Sequence, residues 1–177
     1  MLELYLPAQR SFNEETEEFV IFPQTTLRLE HSLISVSKWE SKWHKSFLSA
    51  DSYTLEEFTD YIRCMSLSSV DMLTIKRLSS KDIQVILDYI HDPMTATTFS
   101  KTSKKTSRQI VTSELVYFWM ISFEIPFECE KWHLNRLLTL IEVCNRKQNP
   151  VKMSKREARD FRNAANEARR KKLGSNG

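Results

Sequence analysis

Hydrophobic residues recur along this chain with two different periods. In the first thirty residues they alternate, as in "LELYL" (2–6) and "TLRLE" (26–30), with the short apolar run "EFVIF" (18–22) between them. Alternation places every second side chain on one face of an extended strand. Because Pro7 and Pro23 separate these segments, the pattern predicts two or three short strands in a small N-terminal sheet.

From Ser32 onward the period changes to three or four residues, which is the spacing of an amphipathic helix. Val36, Trp39, Trp43 and Phe47 predict a helix over 33–48 with two tryptophans on one apolar face. "TLEE" (54–57) forms a capping box, which begins a second helix with an inward stripe. That stripe consists of Phe58, Tyr61, Ile62 and Met65. Short helices follow at 69–77 and from about residue 80 to Pro93, which disfavours helix at Asp92.

The segment 113–146 predicts two helices, at about 113–124 and 129–146, separated by Pro126 in an αα-hairpin. The first contains "LVYFWMISF" (115–123), which is apolar almost all round and is therefore expected to be buried on most sides, with Trp119 in the core. The second helix is expected to turn five residues inward: Trp132, Leu137, Leu140, Ile141 and Cys144. Before them, the Ser-, Thr- and Lys-rich stretch 95–108 predicts a loop.

The last helical stretch, "SKREARDFRNAANEARRKKLG" (154–174), has well-formed ends but a narrow apolar face. Ser154 and Glu157 form a capping box, and Gly174 suits the position after a helix end. Its residues divide into three stripes at about 100° per residue. They are an apolar seam of Ala158, Phe161, Ala165 and Ala168, a basic stripe of Lys155, Arg159, Arg162 and Arg169, and an acidic stripe of Glu157, Asp160 and Glu167. Small residues at this spacing favour close helix packing, so we predict that the seam binds a protein partner and that the basic stripe steers it. The alternative is a solvated helix that binds nothing.

Composition narrows the possible functions. The only glycines, Gly174 and Gly177, close the chain, so no glycine-rich phosphate loop and no GxSxG nucleophile elbow exist in the sequence. From Lys152 to the end, the sequence has nine Lys and Arg residues and three acidic residues, whereas the preceding residues carry a small net negative charge. We therefore expect a mainly α (α+β) fold, with a helical body over 1–150 whose strands lie within 2–30, and a basic helical tail over 151–177.

Candidate chemistry is sparse. Cys129 and His133 have the spacing of half a metal site, but no second pair matches it, so a core thiol and a boundary histidine are the preferred interpretation. Trp39 and Trp43 lie among Lys38, Lys42 and Lys45, as in some nucleic-acid surfaces, yet they share their face with core residues. We predict no catalytic residue, no metal and no cofactor. No apolar run has the length of a membrane span.

Four strings resemble one known family. They are "ISVSKWESKWHKSFL", "DYIHDPMTATTF", "TSELVYFWMISFEIPFECEKWHLNRLLTLIEVC" and "MSKREARDFRNAANEARRKKLG". They are similar to small tail morphogenesis proteins of tailed bacteriophages, specifically tail assembly chaperones, from about residue 30 to the C-terminus. The resemblance implies a helical, cofactor-free protein that coats the apolar tape-measure protein until tail tube subunits replace it. It carries no catalytic residue over to this chain.

The expected function is that of a non-enzymatic tail assembly protein in the host cytoplasm. Its partners would be the tape measure, tail tube or baseplate subunits, or further copies of itself. One alternative is a structural subunit of the tail, baseplate or neck that remains in the virion. Another is a nucleic-acid-binding protein that acts through the basic tail and "KTSKK" (101–105), and it ranks last because acidic residues dilute the charge of the tail.

Overall fold

The computed structural model describes residues 1–13, 18–99, 110–149 and 155–174. Within these ranges the chain forms four short strands, seven α-helices and one 3₁₀ helix, which confirms the mainly helical fold with a small antiparallel β element. The strands are β1 (Leu2–Leu6), β2 (Gln9–Asn13), β3 (Glu18–Phe22) and β4 (Thr25–Leu29). The helices are α1 (Leu33–Trp43), α2 (Leu55–Met65), α3 (Met72–Lys76), α4 (Ser80–His91), α5 (Ser113–Ser122), the 3₁₀ helix (Phe127–Lys131), α6 (Leu134–Gln148) and α7 (Lys155–Leu173).

The four strands form two separate antiparallel ladders. β1 pairs with β4, so that Leu4 lies opposite Leu27, and β2 pairs with β3 in the chain between them. The alternation predicted for β1 and β4 is confirmed, because Leu4, Leu6, Leu27 and Leu29 are buried. The sequence pattern missed β2, since polar residues occupy most of that strand.

α1 is shorter than predicted. It ends at Trp43 because His44 takes a left-handed backbone conformation (φ 52°) and donates its N–H to the carbonyl of Glu40. Phe47 nevertheless belongs to the core, packing its ring against Tyr61 at a centroid distance of 3.9 Å. It reaches the core from an irregular turn, and the predicted helix over 33–48 is wrong after residue 43.

The starts of α2 and α4 follow local sequence rules. Thr54 and Glu57 form the predicted capping box, with Thr54 Oγ1 accepting the Glu57 N–H at 3.2 Å. Ser79 and Asp82 form a second one. α2 then buries the predicted stripe, fully at Tyr61, Ile62 and Met65 and half at Phe58, whereas α4 buries Ile86 and Tyr89. α4 ends at His91, before Pro93, as expected.

The segment after α5 differs from a simple helical hairpin. The 3₁₀ helix fills the connection, and α6 therefore begins at Leu134 and not near residue 129. Both α5 and the 3₁₀ helix pack against α1. On α6 the buried side chains are Leu134, Leu137 and Ile141, whereas Leu140 and Cys144 are half-buried. Trp132 precedes this helix and is half-buried beneath the Arg136 guanidinium, 4.3 Å from its ring centroid.

The chain divides into two compact units, Met1–Glu142 and Val143–Gly177, so the division falls within α6 and before the predicted boundary at residue 150. All buried hydrophobic side chains of the described residues lie between Leu4 and Ile141 and belong to the first unit. The second unit contains α7, which continues to Leu173 and is followed, as predicted, by Gly174, whose backbone is left-handed (φ 61°). The predicted N-cap Ser154 and most of the loop 95–108 lie outside the described residues.

Candidate protein-binding surfaces

α5 is held in place by a buried carboxylate from α1. Glu40 is 7% exposed, and its Oε2 accepts the Ser113 N–H at 2.7 Å while its Oε1 accepts the Phe47 N–H, also at 2.7 Å. The residue before α5, Thr112, makes no capping hydrogen bond with its side chain. Glu40 therefore satisfies the start of α5 from another element, where the helix dipole also favours a negative charge.

Only one face of α5 is buried. Ser113, Val116 and Met120 are fully covered, and their spacing of three and four residues directs them to a single side of the helix. The opposite side leaves Phe118 60% and Ile121 61% exposed. The prediction that α5 is buried on most sides fails along this one side, since Leu115 and Tyr117 beside it are half-buried. Trp119, predicted to lie in the core, is half-buried.

The exposed side of α5 continues onto the 3₁₀ helix. Glu114, Phe118 and Ile121 follow one another at spacings of four and three, so they form one stripe. Phe127 is 55% exposed, and its ring lies 6.4 Å from that of Tyr117 at the edge of the stripe. We call Glu114, Phe118, Ile121 and Phe127 the α5 outer surface. Phe118 and Ile121 share one stripe, and Phe127 contacts Tyr117 beside it; exposed apolar side chains grouped in this way are typical of a protein-binding site.

The α5 outer surface lies in a glutamate-rich stretch of the chain. Residues 110–130 contain four glutamates and no Lys or Arg, and Lys131 then ends the 3₁₀ helix. Hydrogen bonds from its own backbone N–H and from the Thr112 side chain lower the pKa of Glu114, which keeps this carboxylate charged. Glu130 accepts the Tyr117 hydroxyl at 2.8 Å, and burial together with this bond raises the pKa of Tyr117. The surface therefore combines apolar anchors with negative charge.

The predicted seam lies on one uninterrupted helix, α7. Phe161 is 65% exposed, Ala168 is exposed and Ala165 is half-buried, while the side chain of Ala158 lies outside the described ones. The three arginines of the basic stripe, Arg159, Arg162 and Arg169, are all exposed. α7 thus presents an accessible aromatic residue among cationic side chains, as the sequence predicted.

Two of the three lysines beside the tryptophans, Lys42 and Lys45, are engaged in ion pairs, whereas Lys38 is exposed. Lys42 lies 2.8 Å from Asp60, and Lys45 pairs with Glu57. Trp39 is fully buried, and the half-buried Trp43 donates its indole N–H to Asp60 at 2.9 Å. Hydrogen bonding from Lys45, above all, lowers the pKa of Glu57. Because Trp39 is covered and Trp43 is bonded to Asp60, this arrangement favours a core role for the two tryptophans over base stacking.

Cys129 and His133 do not share a helix face. Cys129 is buried in the 3₁₀ helix, whereas His133 precedes α6 and donates from Nε2 to the Tyr89 carbonyl at 3.0 Å. Within the described residues no three or more His, Cys, Asp and Glu side chains are grouped as a metal ion requires. The cysteines Cys64, Cys129 and Cys144 form no disulfide.

His133 stacks edge-on against a second buried histidine, His31, with ring centroids 5.1 Å apart. His31 Nδ1 lies 2.5 Å from the Tyr61 hydroxyl. Burial, with a smaller contribution from His133, lowers the pKa of His31 to about 3. The pair is therefore neutral at pH 7 and serves to pack α2 and α4 against the chain between β4 and α1.

Sequence reasoning predicted a binding role for α7, which stays a prediction, but it did not single out the α5 outer surface. Phe118 and Ile121 belong to an apolar run in which hydrophobic residues show no helical periodicity. Such a run does not indicate which side of the helix is buried. The usable signal was charge, because four glutamates flank the run without any Lys or Arg among them. Separately, no helix in the described ranges has both the length and the apolar character needed to cross a bilayer.

A scan against protein-family models finds no match, and comparisons with curated proteins and with solved structures find no significantly similar chain.

Proposed function

We propose that this chain is a non-enzymatic bacteriophage tail assembly protein that acts in the host cytoplasm by binding other tail proteins. The observation that carries the proposal is the α5 outer surface, where Phe118, Ile121 and Phe127 are each more than half exposed. A helix that is apolar all round is normally covered, so a partner is expected to cover this side. The resemblance to tail assembly chaperones supplies the class of partner, an apolar tape-measure protein.

Co-expression with the tape-measure protein of the same phage tests this proposal. We expect the wild-type chain to keep the tape-measure protein in the soluble fraction and the Phe118→Asp variant to lose that effect. Leu73→Asp is the matched control, because Leu73 is a similarly exposed apolar residue (55%) on a different helix, α3. The proposal fails when the tape-measure protein is equally insoluble with and without the wild-type chain.

A structural subunit of the virion is the second candidate, and the β2–β3 ladder favours it. Phe19 and Ile21 on β3 are 57% and 73% exposed, and a two-stranded ladder is marginally stable alone. Such a hairpin can be held by a neighbouring subunit. Mass spectrometry of purified particles separates the candidates, since a stoichiometric amount in mature virions indicates a subunit and absence indicates an assembly factor.

A further inference from the structure

The α5 outer surface selects a particular kind of partner. Its apolar residues, Phe118, Ile121 and Phe127, require an apolar side chain to cover them. The surrounding glutamates require cations at the rim, because like charges or unpaired carboxylates at an interface lower affinity. An amphipathic helix with an aromatic anchor and flanking Lys or Arg residues meets both requirements.

α7 has these properties. Phe161 is 65% exposed and lies two residues after Arg159 and one before Arg162, both exposed. Over Lys155–Leu173, eight Lys and Arg residues outnumber three acidic ones. The small side chains of Ala165 and Ala168 allow a close approach between helices. The basic helix and the acidic apolar surface are complementary in both charge and chemistry.

We propose that α7 of one copy docks on the α5 outer surface of a second copy, with Phe161 packed against Phe118 and Ile121. The partner of the α5 outer surface is thus a second copy of this chain. The inference shares one premise with the proposed function, that the α5 outer surface binds protein. Because each copy carries both a helix and a surface, association is reciprocal in a closed dimer or continues head to tail.

Sedimentation of the purified full-length chain tests the proposal without any other tail protein. We expect the wild type to self-associate and to dissociate as salt is raised, because the charges at the rim are screened. Phe118→Asp and Phe161→Asp should each raise the dissociation constant by roughly tenfold or more, as for a central aromatic anchor. Both side chains are exposed, so the variants are expected to fold, and circular dichroism checks this. Leu73→Asp should associate like the wild type.

Mixing the two variants gives the decisive result. The Phe118→Asp chain keeps an intact α7, and the Phe161→Asp chain keeps an intact α5 outer surface, so together they should form a one-to-one complex that neither forms alone. A wild type that is monomeric at every concentration overturns the proposal, and so does a mixture without complex. Neither result bears on solubilisation of the tape-measure protein, which tests the proposed function separately.

Discussion

A single carboxylate, Glu40, connects three segments of the first unit. It extends from α1, accepts the N–H of Phe47 in the following turn, and accepts the N–H of Ser113 at the start of α5. The sequence gives no sign of this role, because Glu40 reads as a polar position on an amphipathic helix. Its partners are seven and seventy-three residues away along the chain. Long-range capping of this kind can be found only in the folded structure.

Replacing Glu40 by alanine should destabilise the protein strongly. Two backbone N–H donors would lose their acceptor, and each unsatisfied buried donor costs about 1–3 kcal/mol. We therefore expect the free energy of unfolding to fall by about 2–6 kcal/mol in urea titrations. The exposed Glu56→Ala on α2 is the control and should change it by less than about 1 kcal/mol. An equally small effect at Glu40 would contradict the capping role.

His31 should make stability depend on pH. In the folded state the pKa is about 3, against an ordinary value of 6.5. Between these values the unfolded chain binds more protons at this site, so the free energy of unfolding falls as the pH falls. His31→Asn should reduce the slope of unfolding free energy against pH by up to about 1.4 kcal/mol per pH unit between pH 6 and 4.5.

The control for this measurement is Tyr61→Phe. It removes the hydroxyl beside His31 Nδ1 but leaves the imidazole in place. We expect this variant to be less stable at every pH with a slope close to that of the wild type. If His31→Asn and the wild type show the same slope, the histidine is not held neutral by the fold.

For the individual helices, short sequence motifs predicted the first residue of a helix better than they predicted which side of it is exposed. The capping boxes at Thr54 and Ser79 depend only on residues three positions apart, so they can be read directly from the sequence. The end of α1 could not be predicted, because it depends on a left-handed His44. The sidedness of α5 could not be predicted either, since apolar residues surround the helix and its packing against α1 decides which of them are buried.

Two substitutions on α5 should reveal this sidedness. Met120 is fully buried, so Met120→Ala should lower the free energy of unfolding by about 2–5 kcal/mol. Phe118 is 60% exposed, and Phe118→Ala should change it by less than about 1 kcal/mol at protein concentrations where the chain is monomeric. Chemical denaturation of dilute protein measures both. Similar large losses at the two positions would mean that α5 is buried on both sides.

The chain consists of two units. The first contains the described hydrophobic core, and the second contains the exposed basic helix α7. The buried hydrophobic residues of the described ranges all precede Glu142, where the first unit ends. Folding of that unit therefore depends on residues that the hydrophobic periodicity of the sequence largely identified. The candidate binding surfaces depend on which side chains the core leaves uncovered, so the sequence predicted the fold more completely than it predicted the α5 outer surface.

Removal of residues 150–177 should leave the first unit folded. It should also abolish the increase of the thermal unfolding midpoint with protein concentration that we expect for the wild type. In dilute solution the truncated chain should match the wild-type free energy of unfolding within about 0.5 kcal/mol, because no described core residue is lost. At higher concentration, docking of α7 onto a second copy would stabilise the folded wild type by mass action and raise its unfolding midpoint. The truncated chain lacks α7, so its midpoint should stay constant. Thermal unfolding over a hundredfold range of concentration measures this difference, and a wild-type midpoint that also stays constant would contradict docking between copies.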